Sequence, residues 1–285
     1  MLGLNRQIYY RSKRKVKKNN SIASKVVDLV KRIRLKQTKI GTRKLYQLLL
    51  PELQLLNVGR DKLFDIMRAN RLDIKPKKQY HVTTNSHHRF KKHKNLIEHL
   101  EINRPEQVLV SDITYIGERS NPMYLSLVTD AYSKKIMGLN VSDSLNANGA
   151  IAALKEALKN RNYADLPMIH HSDRGLQYCS HEYQRHLQEN KVLCSMTESY
   201  DPYQNAVAER INGILKQEFI LGIKINDLDL MNKFIRESVY IYNNERPHWS
   251  NYMKTPVEMH QQSEIKMRTY KSKNSTESTL DAINI

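Results

Sequence analysis

Cysteine and long apolar runs are both scarce in this chain, and their scarcity excludes several classes of protein. The 285 residues include two cysteines, Cys179 and Cys194, which lie outside any CxxC pattern. Two cysteines are too few for a disulfide framework and suit a reducing compartment. No run of about 18 apolar residues occurs, so we predict no membrane-spanning helix. No apolar signal segment follows Met1, and we expect a cytoplasmic, nucleoid-associated protein.

Acidic residues are rare in the first third of the chain. Residues 1–95 hold 26 Lys and Arg against 5 Asp and Glu, a net charge of +21, whereas residues 96–285 hold 21 against 24, a net charge of −3. A basic region of this density is the electrostatic footprint that phosphate groups require. The charge distribution therefore predicts that a nucleic acid binds mainly to the amino-terminal part.

Three carboxylates stand out because each occurs in a distinctive context. Asp112 lies in SDITYI, Asp173 in HHSDRGLQY and Glu209 in NAVAERINGILKQEF, with 35 residues between the last two. A strongly basic chain has no charge-balancing reason to place carboxylates inside apolar runs, but a divalent metal ion provides one. Two aspartates and a glutamate that converge would form a hard-oxygen site for Mg²⁺ or Mn²⁺. Two such ions can clamp the attacking and leaving oxygens of a phosphodiester displacement.

The apolar pattern around these carboxylates predicts an α/β fold. Extended runs rich in Val, Ile, Leu and Tyr predict five strands, and a period of 3.6 residues predicts the helices between them. The order strand-strand-strand-helix-strand-helix-strand-helix is typical of an antiparallel meander that passes into α/β crossovers. The predicted strands are 106–117, 122–132, 134–143, 167–173 and 191–197, and the predicted helices are 146–160, 181–190 and 205–219.

Taken in order, these contexts resemble the OrfB-type catalytic subunit of bacterial insertion sequences with two reading frames, in the retroviral-integrase (DDE) superfamily. The resemblance also rests on IGTRKLYQLL (40–49), SMTESYDPYQNAVAERINGILKQEF (195–219) and YNNERPHWSNYMKTPVE (242–258), and it covers roughly residues 1–260. The chain departs from the group before the glutamate helix. The group usually has an adjacent Asp-Asn pair there, whereas Asp201 and Asn205 are separated here.

The resemblance implies a ribonuclease-H-like catalytic core, a mixed five-stranded sheet with flanking helices, preceded by an all-helical basic helix-turn-helix-like region. It implies a DDE transposase in which Asp112, Asp173 and Glu209 are catalytic and bind two Mg²⁺ ions, for which Mn²⁺ substitutes. Hydroxide would cleave the transposon end, and the freed 3′-OH would attack a second phosphodiester without a covalent protein–DNA intermediate. Strand transfer to the other end of the same element would come first, followed by a circular intermediate and integration. The implied partners are double-stranded DNA, further copies of the chain in a homo-multimer, and an upstream OrfA protein, made as a frameshift fusion.

The helical pattern and composition divide the chain into five regions. The amino-terminal helices are predicted at 23–37, 40–53 and 57–72, and a later helix at 228–248, with Pro51 and Pro247 as helix ends. The regions are a helix-turn-helix-like DNA-binding region (1–73), a basic linker (74–104), the catalytic core (105–222), a helical extension of the core (223–261) and a disordered tail (262–285).

Ten polar residues are candidates for DNA contact. The third helix of a helix-turn-helix module reads DNA, a cationic linker tracks phosphates, and Lys216 lies one heptad beyond Glu209. The alternative for the amino-terminal part is a basic helical arm that packs on the core or on another subunit. The candidates are Arg60, Lys62, Arg68, Arg71, Lys75, Lys77, Lys78, Arg174, Asn205 and Lys216.

Neighbouring polar residues receive structural interpretations. His170 and His171 precede Asp173, and strand alternation turns one of them toward the core as a hydrogen-bonded structural histidine. Asp130 lies at a turn in TDAYSKK, and we do not expect it to bind metal.

Two other functions compete with the transposase interpretation. A DNA-binding regulator would keep the fold without chemistry, although the three intact carboxylates argue against it. A nuclease of ribonuclease-H type would cut DNA without joining it, and strand transfer from a pre-cleaved end distinguishes the two.

Overall fold

The protein is described here from a computed structural model. Lys75, Lys77 and Lys78 and most of the predicted tail lie outside the described residues, as does the segment that contains Asp201. The described ranges are 6–74, 90–118, 120–198, 205–220 and 223–267.

A mixed five-stranded sheet forms the centre of the structure. Its strands are β1 (Val108–Glu118), β2 (Asn121–Asp130), β3 (Ile136–Ser142), β4 (Ile169–Ser172) and β5 (Leu193–Met196). Their spatial order is β3-β2-β1-β4-β5. The first three strands pair antiparallel, whereas β4 is parallel to β1 and β5 is parallel to β4. The predicted α/β order and the mixed five-stranded sheet are thereby confirmed.

Helices cover both faces of this sheet. The described helices are α1 (Arg6–Lys36), α2 (Thr42–Leu48), α3 (Leu50–Leu55), α4 (Arg60–Ala69), α5 (Ala147–Lys159), α6 (Leu176–Cys179), α7 (His181–Glu189), α8 (Ala206–Leu215), α9 (Leu228–Asn244) and α10 (Pro256–His260). One apolar core joins the sheet to α8 and α9, and a second joins it to α5, α6 and α7. A Cβ at Gly138 on β3 would collide with the carbonyl oxygen of Ala153, so glycine allows α5 to pack closely on the sheet.

The amino-terminal helices pack around their own small apolar core, which includes Val30, Leu45 and Met67. Helix α1 begins at Arg6, far before the predicted start at 23, because apolar periodicity marks only its buried half. The predicted helix at 40–53 is divided at Leu49 into α2 and α3. Pro51 lies in the first turn of α3, where its missing N–H removes no helical hydrogen bond. The expectation that Pro51 ends a helix was therefore wrong.

The carboxyl-terminal extension packs on the sheet, as predicted. The amide of Asn243 on α9 bonds both the N–H and the carbonyl of Ile136 at 2.9 Å. Helix α9 ends at Asn244, four residues before the predicted end, and a 3₁₀ turn (Trp249–Asn251) leads to α10. Among the described residues, no helix has the length and apolar character that crossing a membrane requires.

A buried charge network fastens α10 to the core. The two ring nitrogens of His260 lie 3.1 Å from Oε1 of Glu106 and 3.3 Å from Oδ2 of Asp130, and all three side chains are buried. Burial alone would lower the pKa of His260, but hydrogen bonds to Asp130 and Glu106 raise it above its ordinary value. Asp130 thus has structural hydrogen-bond partners, and the expectation that it binds no metal stays a prediction.

This network predicts a pH-dependent contribution to stability. Because the pKa of His260 is higher in the folded protein, its stabilisation is complete below about pH 6.5 and is lost as the pH rises through the folded pKa. We expect His260→Gln to lower the free energy of unfolding by about 1 to 3 kcal/mol at pH 6. Urea unfolding of both proteins from pH 6 to 8 measures the difference, which should shrink as the pH rises. A difference that grows with pH would contradict a charged His260.

Candidate functional site

Asp112 lies in the middle of β1, beyond the stretch of that strand that pairs with β4. Its side chain is half-buried. Oδ1 accepts a hydrogen bond from the backbone N–H of Ile113 at 2.9 Å, and Oδ2 accepts one from Nδ2 of Asn212 at 2.7 Å. Both carboxylate oxygens are therefore oriented by the protein.

Asp173 follows directly after β4. The parallel register pairs Leu109 with His170 and Val110 with His171, and its continuation by two residues places Asp173 beside Asp112. Oδ1 of Asp173 accepts the backbone N–H of Gly175 at 3.0 Å, which is an Asx-type turn. Asp173 thus lies at the carboxyl end of β4, beside the point where β1 continues past its pairing with β4, and the carboxyl ends of parallel strands are the usual position of α/β active sites.

Glu209 is carried by α8, which two amides attach to β1. Asn205, at the start of α8, donates from Nδ2 to the carbonyl of Ser111 at 3.0 Å, and Asn212 donates to Asp112. Residues 205, 209 and 212 share one face of a helix because they are four and three residues apart. Glu209 is exposed in the first turn, between the two amides that hold the helix against Asp112.

The three carboxylates influence one another's ionisation. Burial, followed by the charge of Asp173, raises the pKa of Asp112 to about 7, although the Asn212 hydrogen bond opposes the rise. Burial and the charge of Asp173 also raise the pKa of Glu209. Neighbouring like charges disfavour ionisation, and a bound cation would compensate the negative charge of the three carboxylates.

The donor set suits a hard divalent cation, although it is not assembled around one. Within the described ranges, no three or more His, Cys, Asp and Glu side chains are grouped closely enough to hold a metal ion. Carboxylate oxygens are nevertheless the ligands that Mg²⁺ and Mn²⁺ prefer. The buried Oδ1 atoms of Asn205 and Asn212 have no hydrogen-bond partner within the described part of the chain, and each can accept a hydrogen bond from a water molecule or coordinate an ion.

Three of the predicted DNA contacts lie near this site. Lys216, in the π-helical turn after α8 (Lys216–Ile220), is half-buried; burial lowers its pKa and the charge of Asp112 opposes that change. Nη1 of Arg174 donates to the carbonyl of Glu198 at 2.8 Å. Asn205 is 6% exposed and is engaged with β1, so its observed contact is structural. The structure therefore gathers Lys216 and Arg174 around the carboxylates, and DNA contact by all three stays a prediction.

The predicted contacts in the amino-terminal region form a second set, on and just after α4. On α4, Arg60 pairs with Asp61 at 3.0 Å and Arg68 pairs with Asp65 at 3.3 Å. Lys62 is half-buried, and Arg71 is exposed just after the helix with a φ of 55°. The charge of these residues is thus partly balanced locally.

A buried group of polar side chains connects β1 with β4 and α7. The sequence indicated only its histidine. Nε2 of His170 lies 2.7 Å from Oγ of Ser111 and 2.8 Å from the hydroxyl of Tyr183. Burial, then the charge of His171, lowers the pKa of His170 to about 3. His170 is therefore neutral and structural, with partners that no local signal identified. Strand alternation predicted that only one of the two histidines faces the core, but His171 is equally buried and lies 2.8 Å from Oγ of Ser195, because helices cover both faces of the sheet.

A second polar group, which sequence reasoning missed, lies just after α8. Glu218 accepts two hydrogen bonds from Arg246, both at 2.7 Å, and one from Nζ of Lys44 at 2.8 Å. Its carbonyl also accepts from Oγ1 of Thr38 at 2.9 Å. Glu218 therefore joins the end of the Glu209 helix to the amino-terminal helices and to the carboxyl-terminal extension.

The pKa values of Glu218 and Lys44 are both lowered, for different reasons. Burial would raise the pKa of Glu218, but the hydrogen bonds and charge of Arg246 lower it below its ordinary value. Burial, then repulsion from Arg246, lowers the pKa of Lys44 to about 8. The shared carboxylate is thus engaged mainly by Arg246, with Lys44 as the weaker partner.

Comparison with known proteins places this site within a family. One integrase core domain model matches residues 102–202 and a second matches residues 190–256. The chain is 34% identical over 221 residues to the uncharacterized 31 kDa protein of insertion element IS600 from Shigella sonnei, covering 77% of this chain and 80% of that protein. It is 37% identical over 117 residues to the transposase for insertion sequence element IS629 of Shigella sonnei, covering 41% of this chain and 39% of that transposase.

Solved structures of retroviral proteins are similar at low sequence identity. A chain of the simian T-cell lymphotropic virus intasome, solved in complex with a PP2A regulatory subunit, has 17% identity and a TM-score of 0.49, covering 84% of this chain and 81% of that one. The HTLV-2 integrase catalytic core domain in complex with magnesium has 19% identity and a TM-score of 0.44, covering 55% of this chain and 97% of that one.

Proposed function

Because the chain belongs to the insertion-sequence transposases of the retroviral-integrase superfamily, we propose that it is a DDE-type DNA transposase that cleaves transposon ends and transfers the strands. The observation that carries this proposal is the position of three carboxylates from separate elements: the register of β4 on β1 brings Asp173 beside Asp112, and Asn212 of the Glu209 helix donates a hydrogen bond to Asp112. Asp112, Asp173 and Glu209 come from a central strand, a neighbouring strand end and the helix packed on them. This is the constellation that metal-dependent phosphodiester chemistry requires.

We propose that Asp112, Asp173 and Glu209 hold two Mg²⁺ ions, for which Mn²⁺ substitutes. When bound, such ions stabilise charge on the attacking, leaving and phosphoryl oxygens. The chain's own residues orient this site: Asn212 and the backbone of Ile113 fix the Asp112 carboxylate, and Gly175 fixes that of Asp173. Lys216 lies close enough to interact with the charge of Asp112 and would bind a phosphate of the transposon end.

The reaction would proceed by direct in-line transesterification without a covalent protein–DNA intermediate. Water would cleave the end, and the 3′-OH would attack a second phosphodiester. In this proposal residues 1–73 and the linker 74–104 bind double-stranded DNA in the cytoplasm, residues 105–222 perform the chemistry, and residues 223–261 support the core. Two ends must be paired, so we propose a homo-multimer, with an upstream OrfA protein as a further partner.

The decisive experiment is strand transfer from a labelled, pre-cleaved transposon end. Purified protein, alone and fused to its upstream partner, is incubated with Mg²⁺, Mn²⁺ or EDTA. We expect joined product only with a divalent ion, and a loss of more than about a hundredfold for Glu209→Gln, beyond the usual effect of altering groups that merely support metal ligands. Glu237→Gln, an exposed change on α9, serves as the matched control and should retain full activity.

Each other outcome separates the competing functions. Nicking without joining by the fused protein would indicate a nuclease. DNA binding without any chemistry in either form would indicate a regulator. Equal product from wild type and Glu209→Gln would remove Glu209 from the catalytic set.

A further inference from the structure

The first half of α1 is exposed to solvent along its whole length. Every side chain from residue 6 to residue 21 is exposed, and the first fully buried residues of the helix are Val26 and Val30. The ring contacts found in this segment are local, between Tyr9 and Tyr10 and between Arg6 and Tyr10. We call residues 6–21 the α1 arm.

The α1 arm has a dense charge of one sign. It contains seven cations and no acidic residue, and the first acid of the chain is Asp28. The cations are Arg6, Arg11, Lys13, Arg14, Lys15, Lys17 and Lys18. By contrast, α4 combines Arg60, Lys62 and Arg68 with Asp61 and Asp65, a net charge of +1. The strongest cationic surface of the amino-terminal region is therefore the arm and not the helix-turn-helix-like part.

The charges of the arm oppose its own helical conformation. Arg11 and Lys15 are four residues apart, as are Lys13 and Lys17 and also Arg14 and Lys18. Like charges at this spacing lie on neighbouring turns and destabilise a helix. No salt bridge to an acidic side chain is found for the arm among the described residues, and a polyanion would relieve this repulsion.

The dimensions of the arm suit duplex DNA. Sixteen helical residues extend about 24 Å, less than one turn of B-DNA, and an α-helix fits the major groove. At 3.6 residues per turn the seven cations cover an arc of about 200°, wide enough to reach phosphates on both walls of a groove. Ile8 and Val16 lie on the remaining side.

We propose that the α1 arm is a DNA-binding element that docks along duplex DNA through its phosphates and becomes a more stable helix when bound. This inference rests on the proposed function, since it specifies how a DNA-directed enzyme holds its substrate. In this proposal the arm makes the largest contribution to sequence-independent DNA binding through phosphate contacts, and other elements contact the bases.

The test is the salt dependence of binding to a 30-base-pair duplex of arbitrary sequence, measured by fluorescence anisotropy in EDTA. We expect the full-length protein with Lys13, Lys15, Lys17 and Lys18 changed to Gln to bind roughly tenfold or more weakly at low salt. The slope of log affinity against log salt should fall by about 3 to 4, since each phosphate contact contributes about 0.9. Hydrogen exchange should show that DNA protects residues 6–21 of the wild-type protein.

Matched controls separate this role from general charge and from self-association. The first control changes the exposed Lys155, Lys159, Lys233 and Lys254 to Gln, which removes the same charge from residues outside the arm. The second control changes Ile8 and Val16 of the arm to Gln. Both should leave the slope nearly unchanged. An unchanged slope for the arm variant, with no protection of residues 6–21, would overturn the proposal. An unchanged slope with a smaller multimer in sedimentation would instead assign the arm to a second copy of the chain.

The measurement is independent of catalysis because metal is absent. If the wild-type protein binds DNA through the arm but joins no ends, the proposed chemistry is wrong and this inference still holds. Joining activity, together with a salt slope that does not change when the arm is altered, would support the proposed chemistry and overturn this inference.

Discussion

Replacing Asp112 by Asn is expected to abolish strand transfer and, at the same time, to stabilise the metal-free protein. Activity should fall by more than about a hundredfold, because a neutral amide is a poor ligand for a hard divalent cation. Stability should rise because burial and the charge of Asp173 raise the pKa of Asp112 to about 7. In the folded protein this carboxylate therefore ionises at a cost that the amide avoids.

The sign of the stability effect follows from the two pKa values. The folded pKa is about 7 and the ordinary value is 3.8, so the folded state binds the proton more tightly and loses stability as the pH rises between them. Above pH 7 the whole penalty is present. Allowing for solvent screening at a half-buried group, we expect the free energy of unfolding of Asp112→Asn to exceed that of the wild type by about 1 to 3 kcal/mol at pH 8.

Three measurements check this prediction. Urea unfolding in EDTA gives the stability difference, and strand transfer gives the activity. Thermal unfolding with added Mg²⁺ should raise the melting temperature of the wild type more than that of Asp112→Asn, since a ligand stabilises the state that binds it. Asp165→Asn, an exposed change on a loop, is the control and should affect none of the three.

Results opposite to these expectations would show which assumption about Asp112 is wrong. Retained activity would remove Asp112 from the metal site. A less stable Asp112→Asn protein would show that the hydrogen bond from Asn212 outweighs the repulsion from Asp173.

Breaking the pair between Glu218 and Arg246 is expected to produce the largest loss of stability. Arg246 is 1% exposed and makes two hydrogen bonds of 2.7 Å to the carboxylate. Removing one partner leaves an uncompensated buried charge, which costs about 3 to 5 kcal/mol. We expect this loss for Glu218→Gln, which leaves the buried Arg246 unpaired, and a smaller loss for Arg246→Met, because Lys44 still pairs with Glu218. Urea unfolding at pH 7 measures both.

Two comparisons make this prediction specific. The double variant should lose less than the sum of the single losses, because the second change removes the charge that the first change left without its partner. Arg236 makes a similar two-point pair with Glu156, at 3.0 and 3.3 Å, but its side chain is 49% exposed. Arg236→Met should therefore cost only about 0 to 1 kcal/mol, and equal losses at the two arginines would refute burial as the cause.

Local patterns in the sequence were enough to predict the core. Strand alternation around Asp112 and Asp173, and helical spacing around Glu209, predicted the order of elements that the mixed sheet confirmed. The charge contrast between residues 1–95 and the remainder was likewise visible without a structure. These features are readable because each depends on neighbours within one turn of helix or one strand.

The sequence by itself therefore determined the fold class and the three candidate carboxylates, whereas only the tertiary structure decided what holds them in place. The Asn212 amide reaches Asp112 across 100 residues, and Lys44 reaches Glu218 across 174. The exposure of the α1 arm could not be predicted from the sequence either, because exposure depends on which other segments pack against a helix. Pairings between distant residues arise from chain topology, and no local period or propensity encodes which polar group will meet which.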